Sequence, residues 1–211
     1  GYGGREKPGG VASAIVQRAC GIETIPHLTT RDLTVMGLES ALFGAHAEDV
    51  RNILAVTGDP PEVGDYPGSR GVYEVDSIGL TALISRLNRG EDANGRPIDA
   101  PTSFFVGVAV NPSADDLEQE LDRFQQKLEA GAQYAMTQLV FDLAHLDRFL
   151  DRIGGSSPVP LLLGVCPLWS YRLALRFHSL TPAKTDERYD IATSTVARSG
   201  RSEKKKDALK I

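Results

Sequence analysis

Five short apolar runs, each followed by a longer amphipathic stretch, constrain this sequence most strongly. The runs begin at Glu23, Asn52, Ser103, Tyr134 and Pro160. All except the first, which contains Pro26, are almost continuously apolar, a pattern typical of strands buried on both faces of a parallel sheet. Successive runs start 29, 51, 31 and 26 residues apart, and about 30 residues is the length of one strand–helix unit. The pattern predicts an α/β fold with about five βα units.

The stretches between the runs carry helix signals. Apolar residues recur at helical spacing over residues 33–47, 78–87 and 115–130, most clearly at Leu117, Leu121, Phe124 and Leu128. A glycine follows each of four helical stretches, where a left-handed residue commonly ends a helix; these are Gly21, Gly90, Gly131 and Gly154. The 51-residue interval also holds two long loops, at residues 58–70 and 90–101, and loops of that length are usually functional or disordered.

Consecutive βα units of this kind build either a doubly wound sheet or a (β/α)8 barrel. Nothing in the periodicity decides between the two. In both folds the chemistry lies at the carboxyl ends of the strands. We therefore look for functional residues at the ends of the five apolar runs.

Composition narrows the function classes. The chain has 211 residues, 41% of them hydrophobic and 24% charged, which excludes collagen, coiled coil and wholesale disorder. A net charge of −5 and the lack of a long apolar run argue against nucleic-acid and membrane partners. The two cysteines, Cys20 and Cys166, lie far apart, so we predict a reduced, cytoplasmic protein without a metal site. We expect the first ten residues to form a glycine-rich loop, and the basic segment 181–211 a solvated tail.

The strand ends carry a set of polar side chains. His27 lies near the end of the first run, Thr57-Gly58-Asp59 ends the second, Asn111 the third and Cys166 the fifth, while Gln138 interrupts the fourth. A hydrogen-bonded structural role explains His27 equally well. The alternative for Asp59 is a turn residue before proline, and Cys166 is better explained as a small core residue than as a nucleophile. No Ser-His-Asp order, metal-ligand spacing or paired carboxylates occur. The array suits hydrogen bonding to a heterocyclic ligand better than hydrolysis.

Four segments, in order, resemble the methylenetetrahydrofolate reductase family. They are PHLTTRD (26–32), TGDPP (57–61), AVNP (109–112) and EAGAQYAMTQLVFD (129–142). HLTTRD, GDYPGSRGVYEVDS (64–77) and VGVAVNP (106–112) are most similar to the bacterial subtype that is fused to a homocysteine methyltransferase module. The resemblance covers roughly residues 12–177.

The resemblance implies a (β/α)8 barrel that binds FAD at the carboxyl ends of its strands. NAD(P)H would reduce the flavin, which would pass a hydride to methylenetetrahydrofolate and give methyltetrahydrofolate. The implied flavin contacts are His27, Thr57, Gly58, Asp59, Tyr73, Asn111, Glu120, Arg123 and Lys127. Asp59 would also face the folate and tune the flavin, Gln138 would bind the folate, and Phe177 would stack on it. Glu120, Arg123 and Lys127 share one helical face, and a solvated surface face explains them equally well.

The sequence also departs from the family. The family's Phe-Glu-Phe-Phe-Pro-like first strand, whose glutamate is the general acid, has no counterpart, and no eighth strand follows His178. We therefore expect an incomplete barrel over residues 1–180, a flexible tail over 181–211, and impaired activity. The alternatives are an inactive fragment that retains a partial flavin or nucleotide site, and an α/β binding module without catalysis. A homo-oligomer and a fused or separate homocysteine methyltransferase module are the expected protein partners.

Overall fold

The computed structural model describes residues 9–64, 66–167 and 170, which form alternating helices and strands. The elements in chain order are α1 (Gly9–Cys20), β1 (His27–Thr29), α2 (Val35–Ala47), β2 (Asn52–Val56), α3 (Ser77–Asn88), β3 (Phe105–Val110), α4 (Leu117–Glu129), β4 (Tyr134–Leu139), α5 (Leu143–Arg152) and β5 (Leu161–Gly164). A short 3-10 helix, Pro61–Val63, lies in the loop between β2 and α3. The predicted βα alternation is confirmed.

The strands form one parallel sheet in the order β1-β2-β3-β4-β5. The register pairs Thr29 with Val56 and Ala55 with Val108, and the sheet continues through Val110 opposite Thr137. A doubly wound sheet reverses its strand order at a switch point, whereas a barrel adds each strand beside the previous one. The sequential order is therefore that of a barrel wall, and within the described residues the barrel is not closed.

Helices α1 to α5 all contribute buried residues to the core on one face of this sheet. One cluster joins residues of α1, α2 and α3 to Ile53, Ala55 and Val106. A second joins Phe124 of α4 and Phe149 of α5 to alternate residues of β3 and β4. Strand alternation puts Phe105, Gly107, Tyr134 and Gln138 on the other face, which would line a barrel interior.

Tyr134 covers part of that inner face. Its ring lies where a Cβ on Gly107 would be, stacks on Phe105 with 5.2 Å between ring centroids, and donates its hydroxyl to the Ile53 carbonyl at 3.2 Å. Burial raises the pKa of Tyr134 to about 12. The glycine in the apolar run of β3 therefore makes room for a cross-strand tyrosine.

Helix ends follow the expected chemistry. The four predicted terminal glycines all have positive φ, between 66° and 109°, which confirms their role as left-handed end residues. Asp116 caps α4 by accepting from the Gln119 amide at 2.9 Å. None of the helices in the described part of the chain is long and apolar enough to cross a membrane.

Two predicted boundaries were wrong. The first strand begins at His27 rather than at Glu23, because Pro26 has no amide hydrogen for a ladder and only its carbonyl pairs, with Leu54 N at 3.0 Å. Gly9 and Gly10 begin α1 instead of belonging to a loop. The rest of the predicted N-terminal loop, Phe177 and the whole predicted tail over residues 181–211 lie outside the described residues.

Candidate functional site

The carboxyl ends of the five parallel strands meet at one edge of the sheet, which we call the rim. Residues that follow or end these strands include Thr57-Gly58-Asp59 after β2, Asn111 after β3 and Gln138 within β4. Asp59 and Gln138 are exposed there. The rim is where barrel and open α/β folds place their ligands.

The turn after β2 is held from both sides. The buried Thr30 donates its hydroxyl to the Thr57 carbonyl at 3.3 Å, and the Thr57 hydroxyl accepts from the Ser77 amide at 3.1 Å. Gly58 has a φ of 90°, and a Cβ on it would lie 3.1 Å from the Cβ atoms of Thr29 and Arg31. Glycine is needed here both for its backbone conformation and for close packing.

The Asp59 carbonyl accepts two side-chain hydrogen bonds. Arg31 Nη1 donates to it at 3.2 Å, and the Tyr73 hydroxyl donates at 3.3 Å. Tyr73 comes from the long loop between β2 and α3, whereas Arg31 follows β1. Three separate segments of chain therefore meet at Asp59.

The long loop is tied back to β1 and α2 next to these contacts. The Val72 amide donates to the Arg31 carbonyl at 2.6 Å. Glu74 accepts from the Val35 amide at 2.7 Å, at the start of α2, where a carboxylate also complements the helix dipole. The C-terminal part of this loop is consequently ordered against the rim.

The start of α3 links the turn after β2 to α4. Asp76 Oδ1 accepts from the amides of Ile78 and Gly79, both at 3.0 Å. Asp76 Oδ2 pairs with Arg123 Nη2 at 3.2 Å. Burial would raise the pKa of Asp76, but the hydrogen bonds from Gly79 and Arg123 outweigh it and lower the pKa. Ser77, the next residue, donates to Thr57 as described above.

The three residues of α4 that the family resemblance assigns to FAD all have partners within the protein. Glu120 Oε1 accepts from the Asn111 amide at 2.9 Å, and Arg123 pairs with Asp76. Lys127 Nζ donates to the Ala109 carbonyl at 2.7 Å, and the residue is only 6% exposed. Burial lowers the pKa of Lys127. The explanation of these three as a solvated face was wrong for Lys127, because its amine reaches inward to β3.

A register shift between β4 and β5 lies beside Gln138. Met136 pairs with Leu162, but Leu139 pairs with Gly164, so β4 has one residue more than β5 over this interval. Thr137 Oγ1 accepts from the Gly164 amide at 2.8 Å, and a Cβ on Gly164 would lie 2.8 Å from the Thr137 carbonyl oxygen. Such bulges commonly re-aim a side chain beside a functional site.

His27 is separated from Asp59 along the sheet. His27 is the first residue of β1 and pairs with Leu54. Leu54 lies five residues before Asp59 in the chain. Its side chain is exposed, and desolvation lowers its pKa. In the described part of the chain, no hydrogen bond or ion pair joins His27 to Asp59 or to its partners Arg31 and Tyr73.

Two residues of this network were not predicted from the sequence. Arg31 occurs in the segment HLTTRD, and Asp76 is the last residue but one of the segment GDYPGSRGVYEVDS, yet neither was identified as part of the site. Asp76 before a helical stretch is an N-cap signal that could have been found. Arg31 carries no such signal, since its partner is a main-chain carbonyl 28 residues away. Among the described residues, no three His, Cys, Asp or Glu side chains are close enough to share a metal ion.

The chain is similar to proteins of one family. The family model of methylenetetrahydrofolate reductase matches residues 2–192. The 5,10-methylenetetrahydrofolate reductase of Salmonella typhimurium is 28% identical over 180 residues, which cover 85% of this chain and 55% of the relative. The Escherichia coli protein of the same name gives the same identity and coverage. The chain therefore spans about half the length of the bacterial relatives it matches.

More distant similarities extend to a yeast protein and a solved structure. Methylenetetrahydrofolate reductase 2 of Saccharomyces cerevisiae is 25% identical over 171 residues, which cover 77% of this chain and 26% of the relative. The crystal structure of 2,3-dimethylmalate lyase superposes with a TM-score of 0.48 at 8% identity, covering 93% of this chain and 75% of that one. The structural similarity is too weak to interpret.

Proposed function

The chain belongs to the methylenetetrahydrofolate reductase family, and we propose that it takes part in the FAD-dependent reduction of 5,10-methylenetetrahydrofolate to 5-methyltetrahydrofolate by NAD(P)H. The reaction belongs to one-carbon metabolism and methionine biosynthesis. The chain matches about half the length of its bacterial relatives. That this chain takes part in the complete reaction is therefore a proposal that goes beyond its family membership.

One observation carries the proposal. Asp59, in the turn after β2, and Gln138, within β4, are both exposed at the rim, and only β3 separates these two strands. Neighbouring strands lie about 4.8 Å apart, so these two strands are about 10 Å apart. A carboxylate and an amide that extend from these two chain segments can hydrogen-bond opposite edges of a ring system held between them. A pterin and an isoalloxazine are both flat heterocycles with polar edges.

The donor set at the rim suits the ring of FAD. Thr57, Gly58 and Asp59 offer main-chain groups and a carboxylate, Tyr73 a phenol, and Asn111 an amide, while His27 would contribute an imidazole from the inner face. When bound, FAD would supply the hydride-transfer chemistry between NAD(P)H and the folate. The residues of this chain would bind the ring, orient it, and fix the charge of Asp59 beside it.

The phosphate contacts proposed on α4 fit less evenly. Arg123 is 39% exposed and uses one nitrogen for Asp76, so the rest of its guanidinium can reach an anion. Lys127 is buried against the Ala109 carbonyl, and a phosphate would have to enter beside it to share its ammonium. Glu120 would accept from a ribose hydroxyl only on the oxygen that Asn111 does not use. We keep all three as proposed contacts, with Arg123 the best placed.

The substrate would lie against Asp59 and Gln138, and Phe177 is a further proposed contact outside the described residues. Asp59 is the proposed catalytic residue, because a fixed carboxylate beside the reacting rings favours the positive charge that develops on the substrate. The proposal also includes a cytoplasmic location, a homo-oligomer, and a homocysteine methyltransferase module as partner.

The test begins with FAD binding by the purified chain, followed by absorbance as the bound flavin is reduced with NADH or NADPH and then reoxidised by methylenetetrahydrofolate. We expect Asp59→Asn to retain FAD and to slow the folate-dependent reoxidation by about 10²-fold. Asp147→Asn, which changes an exposed carboxylate on α5, is the matched control and should behave as the unaltered chain.

Three outcomes separate the alternatives. A chain without FAD affinity would leave an α/β binding module of another kind. FAD binding without folate-dependent reoxidation would indicate a fragment that keeps the flavin site alone. Turnover at the full rate would contradict the importance of the family's general-acid glutamate, for which this sequence has no counterpart.

A further inference from the structure

The peptide carbonyl of Asp59 is held more firmly than an exposed turn requires. Two side chains from different segments donate to the same oxygen, Arg31 at 3.2 Å and Tyr73 at 3.3 Å. We call this pair of donors the Asp59 clamp. Asp59 lies between Gly58, with its positive φ, and Pro60, whose ring restricts the residue before it. The clamp fixes the remaining freedom of the Asp59 peptide.

Arg31 is itself immobilised by its neighbour. Its Nε and Nη2 donate to the two carboxylate oxygens of Asp32, both at 2.8 Å, and this planar two-bond geometry fixes the guanidinium. The hydrogen bonding that Arg31 donates is also the main cause that lowers the pKa of the Asp32 carboxyl. The Arg31 side chain is 23% exposed, against 57% for Asp32. Nη1 is therefore presented towards Asp59 by a fixed group.

Tyr73 reaches Asp59 from a strained backbone. Its φ is 46°, a conformation that a bulky residue rarely adopts. Its ring lies over Gly71, where a Cβ would overlap it. The neighbouring main chain is tied down by the hydrogen bonds of Val72 to Arg31 and of Glu74 to Val35. Strain of this kind persists where the surrounding contacts over-determine the conformation.

We propose that Arg31 is a positioning residue that, together with the Tyr73 hydroxyl, holds the Asp59 carbonyl and so aims the Asp59 carboxylate at the ligand. The inference rests on the proposed role of Asp59 at the flavin and folate. Arg31 would contact neither ligand and would act through the main chain of Asp59. A lysine at this position would keep a charge and one donor but would lose the paired geometry with Asp32.

The first experiment needs no ligand. The carbonyl carbon of Asp59 is followed by NMR in the full chain, because its chemical shift reports the hydrogen bonds that the oxygen accepts. Arg31→Met and Tyr73→Phe each remove one donor and are expected to move this resonance upfield, and Arg31→Lys is expected to move it less than Arg31→Met. Arg18→Gln, on α1 where Arg18 pairs with Glu48, and Tyr66→Phe, an exposed tyrosine of the same loop, should leave it in place.

The second experiment measures the rates with FAD bound. In Arg31→Met we expect folate-dependent reoxidation of the reduced flavin to slow by about tenfold or more, with FAD affinity unchanged and with part of the rate recovered in Arg31→Lys. A role in stability alone would not give this pattern, so thermal unfolding of each variant is recorded beside its rate.

The outcomes distinguish this inference from the proposed function. An Asp59 carbon shift that does not change in Arg31→Met and Tyr73→Phe refutes the clamp, whether or not the chain binds FAD. A shift that changes while Arg31→Met reacts at the unaltered rate, although Asp59→Asn is slow, overturns the positioning role and leaves the proposed function intact. If the reduced flavin of Asp59→Asn is reoxidised by the folate at the unaltered rate, both the proposed role of Asp59 and the positioning role of Arg31 are refuted.

Discussion

Gly58 has a positive φ and is also closely packed, whereas Gly95 has a positive φ but no close neighbours. Comparing the two glycines therefore measures how much close packing at the rim contributes to stability. Both have positive φ, 90° at Gly58 and 76° at Gly95. A Cβ on Gly95 would meet no atom within 4 Å, whereas one on Gly58 would lie 3.1 Å from the Cβ atoms of Thr29 and Arg31. Replacing each glycine with alanine therefore compares backbone strain alone with strain plus crowding.

The expected magnitudes follow from these two contributions. A left-handed conformation costs an alanine about 1–2 kcal/mol, and this cost applies to both variants. Crowding in a packed site adds about 1–3 kcal/mol, and it applies only at Gly58. Alanine also restricts the unfolded chain, which stabilises both variants equally by about 0.4–1 kcal/mol and cancels in the comparison. Gly58→Ala should therefore be less stable than Gly95→Ala by about 1–3 kcal/mol.

Urea unfolding followed by circular dichroism measures this difference, provided that both variants keep the same dependence of free energy on urea. The Asp59 carbon shift and FAD affinity are measured on the same samples. We expect both to change in Gly58→Ala and neither in Gly95→Ala, because the added methyl group pushes against Thr29 and Arg31 next to the clamp. Equal stability of the two variants would refute the crowding argument, and unchanged ligand binding in Gly58→Ala would refute its link to the site.

Two further predictions concern the inner face and α4. Gly107→Ala should destabilise the chain by about 1–3 kcal/mol but cost much less in a Tyr134→Ala background, since the Tyr134 ring occupies the space of the new methyl group; additive effects in urea unfolding would contradict this. The pKa of Lys127 is lowered from 10.5 in the folded chain, so between the lowered pKa and 10.5 the unfolded chain binds more protons and the contribution of Lys127 to stability rises with pH. The free energy of unfolding of the unaltered chain minus that of Lys127→Met should accordingly increase from pH 7 to pH 10.5, and a difference independent of pH would show that burial does not perturb this lysine.

The strands and helices could be predicted where local pattern and tertiary contacts agree. The apolar runs at β2, β3, β4 and β5 appear as strands within two residues of their predicted starts, because continuous apolar side chains are buried on both faces of a parallel sheet. The run from Glu23 does not form a strand along its whole length because Pro26 has no amide hydrogen with which to extend the ladder. Glu23 and Thr24 accept from Asn52 at 3.1 and 3.4 Å instead of extending the ladder. The choice between a barrel and a doubly wound sheet also required the strand order, which the spacing of apolar residues along the chain does not reveal.

The functional residues could be predicted by type but not by partner. The turn at Thr57, Gly58 and Asp59 was identified from its place at a strand end, and the structure puts it at the rim. Lys127 was expected on a helix surface because spacing along a helix defines a face but not how far a long side chain can turn inward. The carbonyl that receives its amine, Ala109, lies 18 residues away on β3, and no local pattern indicates such a partner.

The rim residues act as one connected group because the start of α3 joins them. Ser77 holds Thr57 through its amide, and Asp76, one residue earlier, holds Arg123 of α4 through its carboxylate. The family resemblance assigns a role to each residue separately. In the structure, the turn that carries Asp59 and the helix that carries Arg123 are both held by adjacent residues at the start of α3, which form one anchor. The anchor carboxylate is also the N-cap of α3, so a change in its charge would alter the helix start and both sides of the proposed ligand site together. Within the described residues, the geometry of the candidate site therefore depends on loop residues as much as on the strand ends themselves.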